Sequence, residues 1–176
     1  DALFANLSDF DDVVGAFLVA QAKETTAGTL ASVTGADAAN GTSVTGLYGT
    51  IKIGTDGSYS YVVDDANSTV QALDETQTLD DSFTVVVSDG AGGSVEQSLV
   101  ITINGSNDAP TVTNYIANQT VNEDDLFSYT VPLNTFADID GSDSLTYSAS
   151  LADGGALSGA WLTFDAASRI FSGTPL

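Results

Sequence analysis

The residues best equipped for chemistry lie in one short stretch, FADIDGSD, residues 136–143. Asp138 and Asp140 are spaced i, i+2, and Asp143 follows Gly141 and Ser142. Carboxylates crowded in this way repel: a like-charged pair at about 4 Å costs about 1 kcal/mol in bulk water and more beside protein. A hard divalent cation reverses the sign, and Ca2+ gathers roughly six to eight oxygens from such side chains and from backbone carbonyls. The spacing is not that of an EF-hand, because the places that would need Gly and Glu hold Asp143 and Ala149. DGAGGSVEQ (89–97) likewise lacks the GGxGxD pattern of calcium β-helices. A DxDG string alone also describes a tight turn, so turn and ligand set are both open at this level.

A second stretch rich in oxygen donors is NGSNDAP, residues 104–110. Pro110 restricts Ala109 to an extended backbone, which suits a stiff link and puts Asn107 and Asp108 at its start. Further acids occupy comparable places: Glu24 in KE, Asp74 and Glu75 in LDE, Asp89 in VSDG and Glu123 in NED. Asp89 precedes a glycine and serves equally as the start of a turn. Asp74 and Glu75 serve equally as solvated surface charges.

Composition narrows the chemistry. The 176 residues contain 24 acids against Lys23, Lys52 and Arg169, a net charge of −21, and 20 of those acids are Asp. Nucleic acid and anionic lipid are excluded as partners, since both need Lys and Arg clusters. The absence of Cys, His and Met removes disulfides, thiolate nucleophiles, zinc fingers and the Ser-His-Asp triad. Paired carboxylates can hydrolyse glycosides, but abundant acids are no sign of a paired site, and the chain reads as a non-enzyme. The apolar run VVGAFLVAQA (13–22) is too short to span a bilayer and has an acidic flank, unlike a signal peptide. It is expected to be a strand, with 1–12 as an N-terminal flank. A chain starting at Asp1 is expected to be a fragment or a processed product.

The elements that must position these acids are strands. LYGTIKI (47–53) and SYSYVV (58–63) flank Asp56-Gly57, a hairpin signal, with Tyr59 and Tyr61 on one face. SFTVVVS (82–88) and SVEQSLVITIN (94–104) form a second hairpin around DGAGG, with Phe83, Val85 and Val87 in one row. In NSTVQAL (67–73) a short helical turn competes. After Pro110, strands are expected in TVTNYIA (111–117), LFSYTV (126–131), SLTYSAS (144–150), AWLTF (160–164) and RIFSG (169–173). No segment has a helical period of ordinary length. The pattern predicts an all-β chain of tandem Ig-like, cadherin-like antiparallel β-sandwiches, at 13–107 and 108–176. The second is expected to be incomplete, its C-terminal strands missing, because about five strands stand where a sandwich needs roughly seven.

Residues 44–110, through YGT, DGSYSY, VQAL, VSDGAGG and ITINGSNDAP, resemble the VCBS repeat of bacterial RTX-type surface adhesins, a likeness spanning about 13–110. Residues 111–176, through FSYTVPLNTFADIDGSDSLTYSASLADG and WLTFDAASRIFSGTP, resemble a dystroglycan-type cadherin-like domain. The resemblance implies sandwiches in a long extracellular chain that bind Ca2+ at or near their junctions. It implies a group of Asn107, Asp108, Asp138 and Asp140, completed by Glu24 with Asp74 and Glu75. Glu123 and Asp143 would belong to other sites or to solvent, and Asp89 to the opposite end of the first module. That outer site departs from the pattern, since TGADAANG (34–41) keeps Asp37 but has Ala39 where a second Asp is usual.

The expected function is a non-enzymatic, Ca2+-binding extender segment of a secreted or cell-surface bacterial adhesin, calcium stiffening the interdomain junction. Its partners would be neighbouring domains of the same chain, with polysaccharide or a host or biofilm surface beyond them; no membrane insertion is expected. The rival is a carbohydrate-binding module using Trp161, Tyr48, Tyr59 and Tyr61, although the family likeness puts Trp161 in the core.

Overall fold

A computed structural model describes residues 18–26, 28–157 and 161–176. The flank 1–12 and the first part of the 13–22 run therefore lie outside the described residues. The chain divides into two compact units, the first ending at Ser106 and the second starting at Asn107. It is nearly all β, with antiparallel sheets throughout, as the alternation predicts.

In the first unit, β1 (Leu18–Glu24), β2 (Ala31–Ser32), β6 (Thr78–Ser88) and β7 (Ser94–Asn104) form one sheet in the order β2-β1-β6-β7. A second sheet joins β3 (Thr42–Thr45), β4 (Gly49–Ile53) and β5 (Tyr59–Val63) in sequence order. Between β5 and β6 the competing helical turn is realised as α1 (Ser68–Gln71), where the Asn67 side chain accepts from the Thr69 N–H. The β4–β5 turn follows its signal, with Gly57 at φ 81°, a conformation that glycine adopts without a Cβ penalty. The Phe83, Val85 and Val87 row of β6 is fully buried. Phe83 and Val85 pack with Val19, Ala22, Val44, Ile51 and Ile53, while Tyr59 and Tyr61 close over the cluster. Tyr61 meets Phe83 edge-on, ring centroids 6.2 Å apart. Each such side chain contributes about 1.5–3 kcal/mol by leaving water.

One irregularity places an acid. Strict alternation would turn Val19 and Ala22 to opposite faces, yet both are buried. The β1–β6 register shifts between Val19 and Gln21, so Ala20 is the extra residue of a bulge. Beyond it the count resumes, and Glu24 ends β1 on the inner face, buried.

The second unit contains β8 (Thr111–Val112), β9 (Phe127–Thr130), β10 (Phe136–Ala137), β11 (Leu162–Asp165) and β12 (Ile170–Gly173). They form a two-stranded sheet, β10-β8, and a three-stranded sheet, β11-β12-β9. Two expected strands are shortened or unpaired. The 111–117 strand stops at Val112, because the N–H groups of Thr113 and Asn114 both turn to the Thr135 carbonyl. The 144–150 segment keeps alternating burial, with Leu145, Tyr147 and Ala149 half-buried, but among the described residues joins no sheet. Trp161 corrects the core expectation: it is 41% exposed and rests edge-on against Phe127. Among the described residues, Val131 is the only fully buried hydrophobic side chain of this unit.

Candidate metal centre

Asp138, Asp140 and Asp143 converge in the loop after β10, with one carboxylate oxygen of each lying within 4.8 Å of the others. Sequence spacing brings them together, and local hydrogen bonds fix the loop. The Asp140 N–H donates to Asp138 Oδ1 at 3.1 Å, and the Asp143 N–H to the Asp140 carbonyl at 3.2 Å. Asp138 is half-buried, Asp143 exposed, and Asp140 only 3% exposed.

Asp140 is the informative member. Its Oδ2 accepts the Asp108 N–H at 2.7 Å, whereas its buried Oδ1 has no hydrogen-bond partner among the described residues. A buried acceptor left without a donor costs about 1–3 kcal/mol, more when charged. Two further carboxylates beside it deepen that cost. A bound cation would satisfy the orphaned oxygen and cancel the repulsion together. The donors are hard oxygens, which match Ca2+ better than soft transition metals.

The remaining expected ligands occupy varied places. Asp108 reaches the trio through its backbone N–H, and the Asn107 side chain donates to the Asp108 carbonyl at 2.7 Å. Glu123 is exposed beside Asp124, whose φ is 66°. In the first unit, Glu24 and Asp74 are both buried. Glu24 Oε1 accepts the Thr26 N–H at 2.8 Å, and Asp74 Oδ1 accepts the N–H and hydroxyl of Thr76 at 2.7 and 2.6 Å. Glu75 is exposed. Asp89 Oδ1 accepts the N–H groups of Ala91 and Gly93, at 2.8 and 2.9 Å, and so closes its own hairpin loop. Asp37 does the same locally, accepting from the Asn40 backbone and side chain.

Sequence reasoning missed Asp81. This fully buried carboxylate of β6 accepts the N–H groups of Leu47 and Tyr48, each at 3.1 Å, and the Tyr61 hydroxyl at 2.7 Å. It ties the β3–β4 turn to the opposite sheet, and a Cβ at Gly46 would collide with it. The Tyr61 phenol is held well above its ordinary pKa, first by burial and then by the Asp81 hydrogen bond and charge. The signal was available: Asp81 stands in the Leu79, Phe83, Val85 row, an acid at a core-facing place.

Residues 109–176 match the He_PIG family model, described as Putative Ig domain. The match covers the second unit apart from its first two residues and leaves the first unit unassigned. The part of the chain that carries the aspartate trio is thus the part similar to an Ig-like domain. No curated protein and no solved structure matches the chain.

Proposed function

We propose that the chain is a Ca2+-binding structural segment of a long secreted or surface-attached bacterial protein, built from a VCBS-type sandwich and a dystroglycan-type cadherin-like domain. The observation that carries this reading is the buried, unpartnered Oδ1 of Asp140 beside Asp138 and Asp143. Ca2+ on that oxygen would leave Oδ2 on the Asp108 N–H, so one side chain would hold both the ion and the start of the second unit. The ion acts as a structural staple and carries out no reaction. An all-β, strongly acidic chain without His or Cys suits a scaffold role in an extracellular, millimolar-calcium setting.

Thermal unfolding and small-angle scattering with Ca2+ and with chelator test the reading. A higher melting temperature and a longer particle with Ca2+ support it; identical curves overturn it.

One observation favours a second reading, a carbohydrate platform. Trp161 is 41% exposed, whereas Tyr59 and Tyr61 are partly buried against the core cluster of the first unit. A sugar array in which retention is lost in Trp161→Ala, with the fold intact, would establish that reading in its place.

A further inference from the structure

Asparagine precedes glycine twice in this chain, at Asn40-Gly41 and at Asn104-Gly105. In such a pair the glycine nitrogen, with no Cβ beside it, can attack the side-chain carbonyl carbon of the asparagine. The backbone decides whether it reaches. Asn104 ends β7 opposite Thr78, and the Gly105 N–H donates to the Gln77 carbonyl at 3.0 Å. Ladder and hydrogen bond hold that nitrogen in place, and a Cβ at Gly105 would collide with the Asp74 carbonyl. Asn40 is placed differently: it is exposed in the turn between β2 and β3, and the β3–β4 ladder starts only at Thr42. A Cβ at Gly41 would collide with the Ile53 carbonyl, so packing demands the glycine that makes Asn40 reactive. One oxygen restrains Asn40. Asp37 Oδ1 accepts both its N–H and its Nδ2–H, each at 3.0 Å, and so draws the side-chain amide back over its own N–H, away from Gly41.

We propose that Asn40 is a site of spontaneous deamidation latched by Asp37, while Asn104 is held unreactive by its ladder. The Gly41 nitrogen bonds to Asn40 Cγ and gives up its proton, the Cγ–Nδ2 bond breaks, and Nδ2 leaves with that proton as ammonia. Water then opens the cyclic imide at either carbonyl, leaving aspartate or, through the lengthened main chain, isoaspartate. Nothing is oxidised or reduced. Either product puts a carboxylate where the amide donated to Asp37, so repulsion replaces a hydrogen bond. The affected loop is tied to the β4–β5 hairpin: Thr55 N–H donates to the Gly35 carbonyl, Asp56 N–H to that of Ala36, Ala38 N–H to Ser58 Oγ and Lys52 Nζ to the Ala39 carbonyl. Deamidation therefore loosens one end of the first unit as the chain ages. This chemistry is independent of the aspartate trio and of calcium.

The test ages the folded chain in mildly alkaline heavy-oxygen water and maps label and isoaspartate by peptide mass spectrometry after digestion in acid. Label should enter at Asn40 about tenfold or more faster than at Asn104, because the end of β7 must open before Gly105 can attack. In urea, with both pairs unfolded, the two rates should converge. Asp37→Ala should speed Asn40 alone, and Asp37→Asn, whose amide oxygen still accepts, should keep the parent rate. The Thr55 and Asp56 amides should exchange faster in the aged chain than in the fresh one; unchanged exchange would overturn the loosening. Asn104 reacting as fast as Asn40 in the folded chain, or no label at Asn40, would overturn the proposal. An unchanged rate in Asp37→Ala would remove the latch, as would acceleration at both sites, the mark of unfolding. Ammonia loss without label, with Asn40 cross-linked to Lys52, would assign the attack to that amine and overturn the imide route.

Discussion

The backbone N–H of Asp108 donates to Oδ2 of Asp140 at 2.7 Å, and the other oxygen of that carboxylate is buried without a partner. One side chain thus faces the first residues of the second unit on one side and two acids on the other.

Calcium dependence should be concentrated in Asp140. With chelator, Asp140→Asn should melt no lower than the parent chain, since it removes a repelling charge from the trio. With Ca2+ at about one hundred times its dissociation constant, the parent chain should gain about 2.7 kcal/mol, and the variant little. The check is a pair of thermal melts in each condition; an equal calcium gain in both chains would remove Asp140 from the site.

Asp81 should be the costliest acid to remove from the first unit. Asp81→Ala leaves two N–H groups and a phenol without their acceptor, and should destabilise that unit by about 3–5 kcal/mol. Gly46→Ala should act in the same direction, because its new methyl group meets the Asp81 carboxylate. Urea unfolding followed by Trp-independent circular dichroism measures both. A loss under about 1 kcal/mol for Asp81→Ala would show that water replaces the carboxylate.

Alkaline titration should isolate Tyr61. Its folded pKa is raised, so its stabilising contribution is complete below the ordinary tyrosine value of 10.0 and is lost as pH rises toward the folded value. In a spectrophotometric titration one phenol should therefore resist ionisation past that value until the first unit unfolds. Asp81→Asn should bring it down, because a hydrogen-bonded negative charge is removed.

Asp165 offers an acid-side counterpart in the second unit. The Ser168 hydroxyl, then the Ala167 N–H, hold its carboxyl below the ordinary value of 3.8. Its stabilising effect is present above that value and is lost as pH falls through the folded pKa. Carbon-detected NMR titration should show the midpoint moving up in Ser168→Ala.

The two units should differ in resistance to denaturant. The first has a cluster around fully buried Phe83, Ile51, Ile53 and Val85. The second buries Val131 alone among described hydrophobic residues, while Leu126 is 80% and Tyr115 90% exposed. Hydrogen exchange should protect the β6–β7 amides most and those of the second unit least. Phe83→Ala should cost about 3–5 kcal/mol, and Val131→Ala clearly less.

Legibility in the sequence followed local chemistry. The two hairpins of the first unit were readable because Asp56-Gly57 and the DGAGG loop stand between strictly alternating runs. The clustering of Asp138, Asp140 and Asp143 was readable because they are near neighbours in sequence, whereas the family resemblance had put Asp143 in another site or in solvent. What stayed hidden depends on contacts distant in sequence. Asp81 gains its role only when the turn at Leu47 folds over it. The family resemblance grouped Asp108 with Asp140, but as an oxygen ligand and not as the backbone N–H that donates to that carboxylate. Trp161 was expected in a core, but an aromatic residue is buried only as far as its neighbours cover it, and Phe127 covers one edge. The strand expected at 144–150 shows the remaining gap: alternation records which side faces inward and says nothing of whether a neighbouring strand is there to pair.

The ladder around β6 also has a mechanical meaning. Leu18 of β1 pairs with Ser88 at one end of β6, and Asn104 of β7 pairs with Thr78 at the other. A pull on the chain before Leu18 and after Asn104 would therefore run along the strands, in opposite directions on the two sides of β6. The ladder between Thr78–Asn104 and Ser88–Ser94 would then be loaded as a whole in shear, with its hydrogen bonds sharing the force instead of opening singly from one end. A unit threaded in this way resists tension through the direction in which it is held, independently of how much free energy separates it from the unfolded chain.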